Sequence, residues 1–174
     1  MIHPSIRCEK KPFTTLCGTV FLLCCFFSAM AQPPPPRPIT VYVNPAQGLI
    51  FGAFFQGPSG GTVIVYPDGS RSVTGSLIQA NLGYSFSPAI FEVDANPGTV
   101  ISIMNGPDVT LTGSNGGSIG LHIGTASTGA LFTTTVAPPG RTQVRIGGTL
   151  TVGNPLANPS GSYSGSFSVT FIQQ

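Results

Sequence analysis

The chain is poor in charged residues, which make up 7% of its 174 residues, and it has no tryptophan. After residue 31 it has no lysine, and its four arginines are matched by four acidic residues, so this part carries no net charge. Nucleic-acid binding needs clustered Lys and Arg to neutralise phosphates, and electrostatic attachment to anionic lipid needs the same. The sequence therefore disfavours both classes of partner.

Cysteine is also absent after residue 31, because all four cysteines lie at positions 8, 17, 24 and 25. The region that contains them has the layout of a secretory signal: basic residues at 7, 10 and 11, an apolar run at 16–27 and the small residues Ala29 and Ala31. We predict cleavage between Ala31 and Gln32. The apolar run is shorter than the roughly 20 residues that span a bilayer, so we expect no stable membrane insertion after cleavage. The predicted location is the periplasm, the cell surface or the medium.

Residues 32–38 read QPPPPRP, which is typical of a stiff polyproline II linker. Further along, short segments rich in β-branched and aromatic residues are separated by Gly, Pro, Asn and Asp. We predict strands at 39–43, 49–54, 61–66, 89–94, 99–104, 109–112, 118–123, 131–136, 142–152 and 162–172. This spacing is typical of an all-β, immunoglobulin-like antiparallel β-sandwich. The predicted organisation is a signal peptide (1–31), a proline-rich linker (32–38) and one β-sandwich domain (39–174).

One motif resembles a hydrolase nucleophile. Residues 57–61 match G-x-S-x-G around Ser59, and Asp94 or Asp108 followed by His122 completes the order serine, acid, base. The motif requires a strand-to-helix turn that exposes the serine, but here a strand is predicted to follow. We therefore attribute the match to chance and predict no catalytic residue.

Metal and cofactor sites are not predicted either. His122 is the one histidine after residue 31, and a zinc site needs further His or Cys ligands. Glu92 and Asp94 share a strand face, which is how a calcium site or a glycosidase carboxylate pair could begin, but neither has an evident partner in the sequence. Solvated charges at a sheet edge account for them better. We expect no enzyme activity, no metal and no cofactor.

Four blocks carry a family resemblance: GLIFGAF at 48–54, GGTVIVYPDGSR at 60–71, TG at 74–75 and GSYSGSFSVT at 161–170. In their order and spacing they resemble the secreted bacterial family known as domain of unknown function 4402. The resemblance covers about residues 39–171 and is typical of Bacteroidetes-type sequences. It implies a pilin-like sandwich on the bacterial exterior, and it implies no catalytic residue.

The terminal segments are similar to those of fimbrial subunits that polymerise by strand exchange. The candidate exchange residues alternate along the two segments: Ile39, Val41, Val43, Phe167, Val169 and Phe171. The similarity fails at Gln173, where fimbrial subunits favour a tyrosine, and in the lack of cysteine after cleavage. An ordinary last strand of a closed sandwich is therefore the favoured reading of residues 162–172.

Two functions remain in competition. The first is a structural or adhesive surface protein whose partners are copies of itself or other envelope proteins, with residues 39–43 pairing with a neighbouring copy by strand addition. The second is a monomeric module that binds an extracellular carbohydrate or another ligand through loops 56–60, 113–117 and 137–141. Sugar sites present an exposed aromatic face, for which Tyr84 and Phe86 are the candidates. Arg141 and Arg145 would share a strand face with each other if their strand starts early.

Overall fold

The computed structural model describes residues 37–174, so the predicted signal peptide, its cleavage site at Ala31 and Gln32, and most of the proline-rich linker lie outside the described residues. The described part is built from short β-strands and one 3-10 turn at Pro45–Gln47. The strands are β1 (Thr40–Val43), β2 (Phe54–Phe55), β3 (Gly61–Val65), β4 (Arg71–Val73), β5 (Ile78–Gln79), β6 (Ala89–Asp94), β7 (Val100–Asn105), β8 (Val109–Gly113), β9 (Ser118–Ala126), β10 (Leu131–Thr133), β11 (Thr142–Val152), β12 (Tyr163–Ser164) and β13 (Val169–Gln173). None of the helical structure in this range is long and apolar enough to cross a membrane.

The strands form two larger sheets and one small one. The main sheet has the order β1-β6-β11-β9-β8-β12, with β3 also paired to β11 and β4 to β3. The second sheet is β10-β7-β13, and β2 pairs with β5. Every strand pair is antiparallel. Phe91 of the main sheet packs on Phe171 of the second, with ring centroids 5.5 Å apart. The predicted all-β antiparallel sandwich is confirmed.

The core follows the period of two in the sequence. Alternate residues of β6 are buried, and those of β9 are buried in the same way. These inward side chains are Ala89, Phe91, Val93, Ile119, Leu121 and Ile123. Full burial of a Val, Ile, Leu or Phe side chain contributes about 1.5–3 kcal/mol, so these two strands and β11 anchor the domain without a disulfide.

Strand β11 is the centre of the main sheet and contains an irregularity. Its register shifts between Ile146 and Gly148. Along one edge, the first half of β11 pairs with β6 and the second half pairs with β3. Gly147 lies at this change of partner, against the backbone of Val65 and Pro67, where a Cβ would clash. The sheet therefore has a break beside Gly147, and only glycine fits at this position because it has no Cβ.

The predicted strand at 49–54 is largely absent. Only a bridge between Ile50 and Ser87 and the short strand β2 lie there. The Arg71 guanidinium accounts for this, because its Nη1 donates to the carbonyl oxygens of Phe51 at 2.7 Å and Ala53 at 3.3 Å. The Phe51 carbonyl thus accepts from a side chain in place of a neighbouring strand, and the Ala53 carbonyl accepts from Arg71 as well as from the backbone N–H of Ala80 at 3.2 Å.

The predicted strand at 162–172 is divided in two. Strand β12 pairs with β8 in the main sheet, and β13 pairs with β7 in the second sheet. The chain crosses between the sheets at residues 165–168, where Gly165 lies against Leu111. Alternation alone does not reveal the crossing, because Phe167, Val169 and Phe171 all pack against the core that the two sheets share.

The outer strands β1 and β13 reach the same end of the sandwich. Thr40 of β1 lies opposite Asp94, and the neighbouring Val93 lies opposite Thr142, the first residue of β11. The backbone N–H of Ile39 donates to Oε1 of Gln173 at 3.3 Å. We call this region the terminal corner, defined by residues 37–43 and 169–174. The opposite end of the sandwich is marked by Val152, the last residue of β11.

Candidate functional site

The terminal corner contains five of the six predicted strand-exchange residues, and the sixth, Phe167, lies just before β13. Within residues 37–174, β1 pairs only with β6, and β13 pairs only with β7, so each strand is the edge of its sheet. Between these two edges the only hydrogen bond in the described structure joins Ile39 to the Gln173 side chain. Edge strands present unpaired backbone groups on which another chain can add. The terminal corner is thus an open seam between the two sheets.

The six predicted exchange residues differ in burial. Ile39 and Val41 are half-buried and pack against the core, but Val43 is 60% exposed. Phe167, Val169 and Phe171 are also half-buried against the core. Five of the six therefore complete this chain's own sandwich, and Val43 extends beyond the apolar surface that the others cover.

Arg37 of the terminal corner was not predicted as a site residue, and its partner Asp94, at the end of β6, was considered as a site residue only as a catalytic acid or a metal ligand. Arg37 donates from Nη2 to Oδ2 of Asp94 at 3.2 Å, and the Asp94 side chain is only 12% exposed. The second oxygen of Asp94 is buried and has no hydrogen-bond partner in the described structure. The ion pair therefore tethers the residues before β1 to the end of β6. The signal available in the sequence was one arginine inside a proline-rich segment.

The residues of the hydrolase-like pattern are only partly brought together. Nδ1 of His122 and Oδ1 of Asp108 are 2.7 Å apart, and both side chains are more than 60% exposed. Ser59 lies near the Val152 end of β11, where its backbone N–H donates to Oγ of Ser76. Its hydroxyl makes no hydrogen bond to either residue within the described range. Strand β3 begins two residues later, where the hydrolase motif requires a helix.

The Glu92 carboxylate is engaged in local contacts. Glu92 accepts from Nη1 of Arg141 at 2.8 Å, and this bond raises the pKa of Arg141 above its ordinary value. The same guanidinium lies over the Tyr42 ring at 3.6 Å from its centroid. Among residues 37–174, no three His, Cys, Asp or Glu side chains are grouped as a metal site would require.

The proposed ligand loops do not converge. Loops 56–60 and 113–117 flank the strands that meet the Val152 end of β11, whereas loop 137–141 precedes its first residue. Eleven residues of β11 separate the two ends, which is about 33 Å of extended chain. A single small ligand cannot contact all three loops.

The two aromatic candidates have different surroundings. Tyr84 is 69% exposed. Phe86 is covered by the guanidinium of Arg71, which lies 4.4 Å above the ring centroid. Burial there lowers the pKa of Arg71 from its ordinary value. Phe86 is thus part of a structural cluster and does not present an open ring face.

The described residues define the class of the protein as an all-β, antiparallel β-sandwich with both terminal strands at sheet edges. The family model described as domain of unknown function (DUF4402) matches residues 41–172, and the chain belongs to this family. The resemblance stated from the sequence is thereby confirmed for the family. No curated protein and no solved structure matches the chain.

Proposed function

We propose that the protein is a non-catalytic structural or adhesive component of the bacterial cell exterior, in which strand β1 is exchanged between copies. The observation that supports this proposal is the open seam at the terminal corner. Strand β1 is held by one ladder to β6, by the half-buried side chains of Ile39 and Val41, and by the Arg37–Asp94 ion pair. All of these contacts can form equally well between two chains, so exchange changes few contacts and is favoured by high local concentration.

The proline-rich segment before β1 determines which residues can be exchanged. Proline has no backbone N–H and cannot donate to a strand ladder. With prolines at 33–36, at 38 and again at 45, the only stretch near this terminus that can form a regular ladder is 39–44. The segment given to a neighbouring copy must therefore be β1 itself, which then leaves its place beside β6. This is exchange of a strand, in contrast to addition of an extra one.

A pair of cysteines tests the exchange directly. Tyr42 and Glu92 lie opposite each other in β1 and β6, and opposite residues of antiparallel strands have Cα atoms about 4.5–5.5 Å apart, within the range of a disulfide. In the doubly substituted protein (Tyr42→Cys with Glu92→Cys), we expect oxidation to link different chains. Non-reducing denaturing gels of the exported protein should then show a ladder of covalent multimers.

The controls are the two single substitutions, which lack the second thiol and should give no ladder. If the double variant forms disulfides only within one chain, with or without multimers in solution, β1 remains paired with β6 of its own chain. That result would overturn the proposed exchange. Deletion of residues 33–43 provides a second test. It should abolish multimers, and multimers of unchanged size would also contradict the proposal.

A further inference from the structure

A shallow cleft of about 580 Å³, largely open to solvent, lies on the outer face of the main sheet, at the break beside Gly147. The turn after β3 forms one wall with Tyr66 and Asp68, and Ser127 after β9 forms the other. Gln143 and Arg145 enter from β11, where their exposed side chains alternate with the buried Val144 and Ile146. Small-molecule sites have volumes of about 300–1,000 Å³, so the cleft is large enough for a small ligand.

Arg145 is held in place and still has free donors. Its Nε donates to Oε1 of Gln143 at 3.0 Å, and its backbone N–H donates to Oγ of Ser127 at 3.0 Å. Within residues 37–174 its two terminal Nη groups have no hydrogen bond, and it forms no ion pair. The guanidinium therefore presents an oriented fork of donors to the cleft.

Asp68 supplies acceptors to the same cleft. Its Oδ1 accepts from the backbone N–H of Ser70 at 2.8 Å and from the Ser70 hydroxyl at 2.6 Å. These bonds fix the carboxylate and lower its pKa, so it stays ionised at neutral pH. Oδ2 has no partner in the described structure. A positive donor group and a negative acceptor group thus line one cleft without pairing with each other.

An aromatic ring completes the lining. Tyr66 is 42% exposed, and its hydroxyl lies 3.3 Å from Oγ of Ser72. The hydroxyl contact positions the side chain at the edge of the cleft. Tyrosine offers an apolar ring together with a polar tip, which suits ligands that have both C–H and hydroxyl surfaces.

A second recess of about 320 Å³ lies on the same face of the sheet. It is lined by Tyr42 under the Arg141 guanidinium, by Glu92, and by the amides of Asn44 and Gln47. Tyr42, Glu92 and Gln143 are direct neighbours across β1, β6 and β11. The recess and the cleft are therefore adjacent, and each combines a tyrosine, an arginine, an acid and at least one side-chain amide.

We infer that the cleft and the adjacent recess together bind a neutral saccharide chain, with one part of it in the cleft between Tyr66 and Arg145. Sugar hydroxyls both donate and accept, so they can satisfy the guanidinium, the carboxylate and the amides together. The lining has no net charge and does not favour an anion over a neutral ligand. A purely apolar ligand would leave the polar side chains of the lining without hydrogen-bond partners. The binding face thus differs from loops 56–60 and 113–117 and from Tyr84 and Phe86, and it shares only Arg141 with loop 137–141.

This inference does not depend on strand exchange. In an exchanged assembly, the β1 that carries Tyr42 comes from another copy, but the cleft residues belong to β11 and to the turns after β3 and β9. Binding at the cleft can therefore be measured whether or not copies associate.

The test is an NMR titration of the intact protein with neutral oligosaccharides of glucose, galactose, mannose and N-acetylglucosamine. We expect at least one series to cause saturable shifts at Tyr66, Ser127 and Arg145. Arg145→Gln should weaken that binding by about tenfold or more, because a hydrogen bond to a charged group is lost. Tyr66→Phe should retain more affinity than Tyr66→Ala, since the ring provides the contact surface.

His122→Gln is the matched control, because His122 is exposed on β9 of the same sheet and lies outside the cleft lining. Its binding should equal that of the unsubstituted protein. Three outcomes would overturn the inference: no saturable shift with any of the four series, equal loss in the Arg145 and His122 variants, or binding of acidic polygalacturonate alone. The last would show that Asp68 does not face the ligand.

Discussion

Asn158 is one of two polar residues, with Thr134, that are buried within residues 37–174. Its Oδ1 accepts from the backbone N–H of Gly153, and its Nδ2 donates to the carbonyl of Ser118. The side chain thus connects the end of β11 to the start of β9. A buried amide that satisfies backbone groups on two elements stabilises both of them.

We predict that Asn158→Ala lowers the free energy of unfolding by about 2–3 kcal/mol, because it leaves the Gly153 N–H and the Ser118 carbonyl without partners. Urea denaturation followed by circular dichroism measures the change. Asn115→Ala is the control, since its exposed amide makes a hydrogen bond at 2.7 Å to the Ser160 carbonyl. It should cost less than about 1 kcal/mol, and equal losses in the two variants would contradict the structural role of Asn158.

The sequence does not reveal the role of Asn158. Asn-Pro at 158–159 is a typical turn signal, and the structure has a turn at 155–157 followed by a bend at Asn158. A buried amide depends on which strands are brought beside it, and Ser118 is 40 residues away in sequence. The same reason applies to Arg71, whose partners, the Phe51 and Ala53 carbonyls, lie 20 and 18 residues away in sequence.

At the scale of the element, a strand could be predicted from the sequence where buried and exposed residues alternate regularly along it. Strands β6 and β11 have the predicted bounds, because apolar residues recur on their inward faces. The short strands β4 and β5 were not predicted, since two or three residues carry too little periodicity. The candidate terminal strands were found by the same alternation. The cleft was not predicted, because it arises where β11 changes its partner from β6 to β3, and this change leaves no periodic pattern in the sequence.

The break in β11 leads to a prediction for Gly147. We expect Gly147→Ala to reduce the free energy of unfolding by about 2–3 kcal/mol, because the new methyl group meets the backbone of Val65 and Pro67. Gly120→Ala is the matched control on the adjacent strand β9, where a Cβ meets no atom within 4 Å. It should change stability by less than about 1 kcal/mol. Thermal and urea unfolding of both variants provide the measurement, and similar losses would show that the break tolerates a side chain.

At the scale of the whole molecule, the described fold contains no cysteine, and its stability comes from the core between the sheets. The four cysteines of the chain all precede the predicted cleavage site. We predict that the protein recovered outside the inner membrane begins at Gln32 and has no thiol. Intact-mass spectrometry and thiol labelling measure both properties.

Reductant provides the comparison for that prediction. Since no disulfide can form after cleavage, dithiothreitol should leave the unfolding temperature and any multimer distribution of the exported protein unchanged. A chain that retains residues 1–31, or multimers that dissolve on reduction, would contradict the predicted export and would assign self-association to cysteine in place of β1.

The proximity of the terminal strands also determines how the sandwich responds to mechanical force. Tension between Ile39 and Gln173, which meet at the terminal corner, would pull β1 and β13 away from their neighbours beginning at the same end. The ladders of β1 with β6 and of β13 with β7 would then open one hydrogen bond at a time, and this peeling geometry resists little load. Strands pulled along their length share the load among all their bonds. A filament of these sandwiches would therefore resist tension only if the force runs parallel to the paired strands. Each copy would then have to contact its two neighbours at opposite ends of the sandwich.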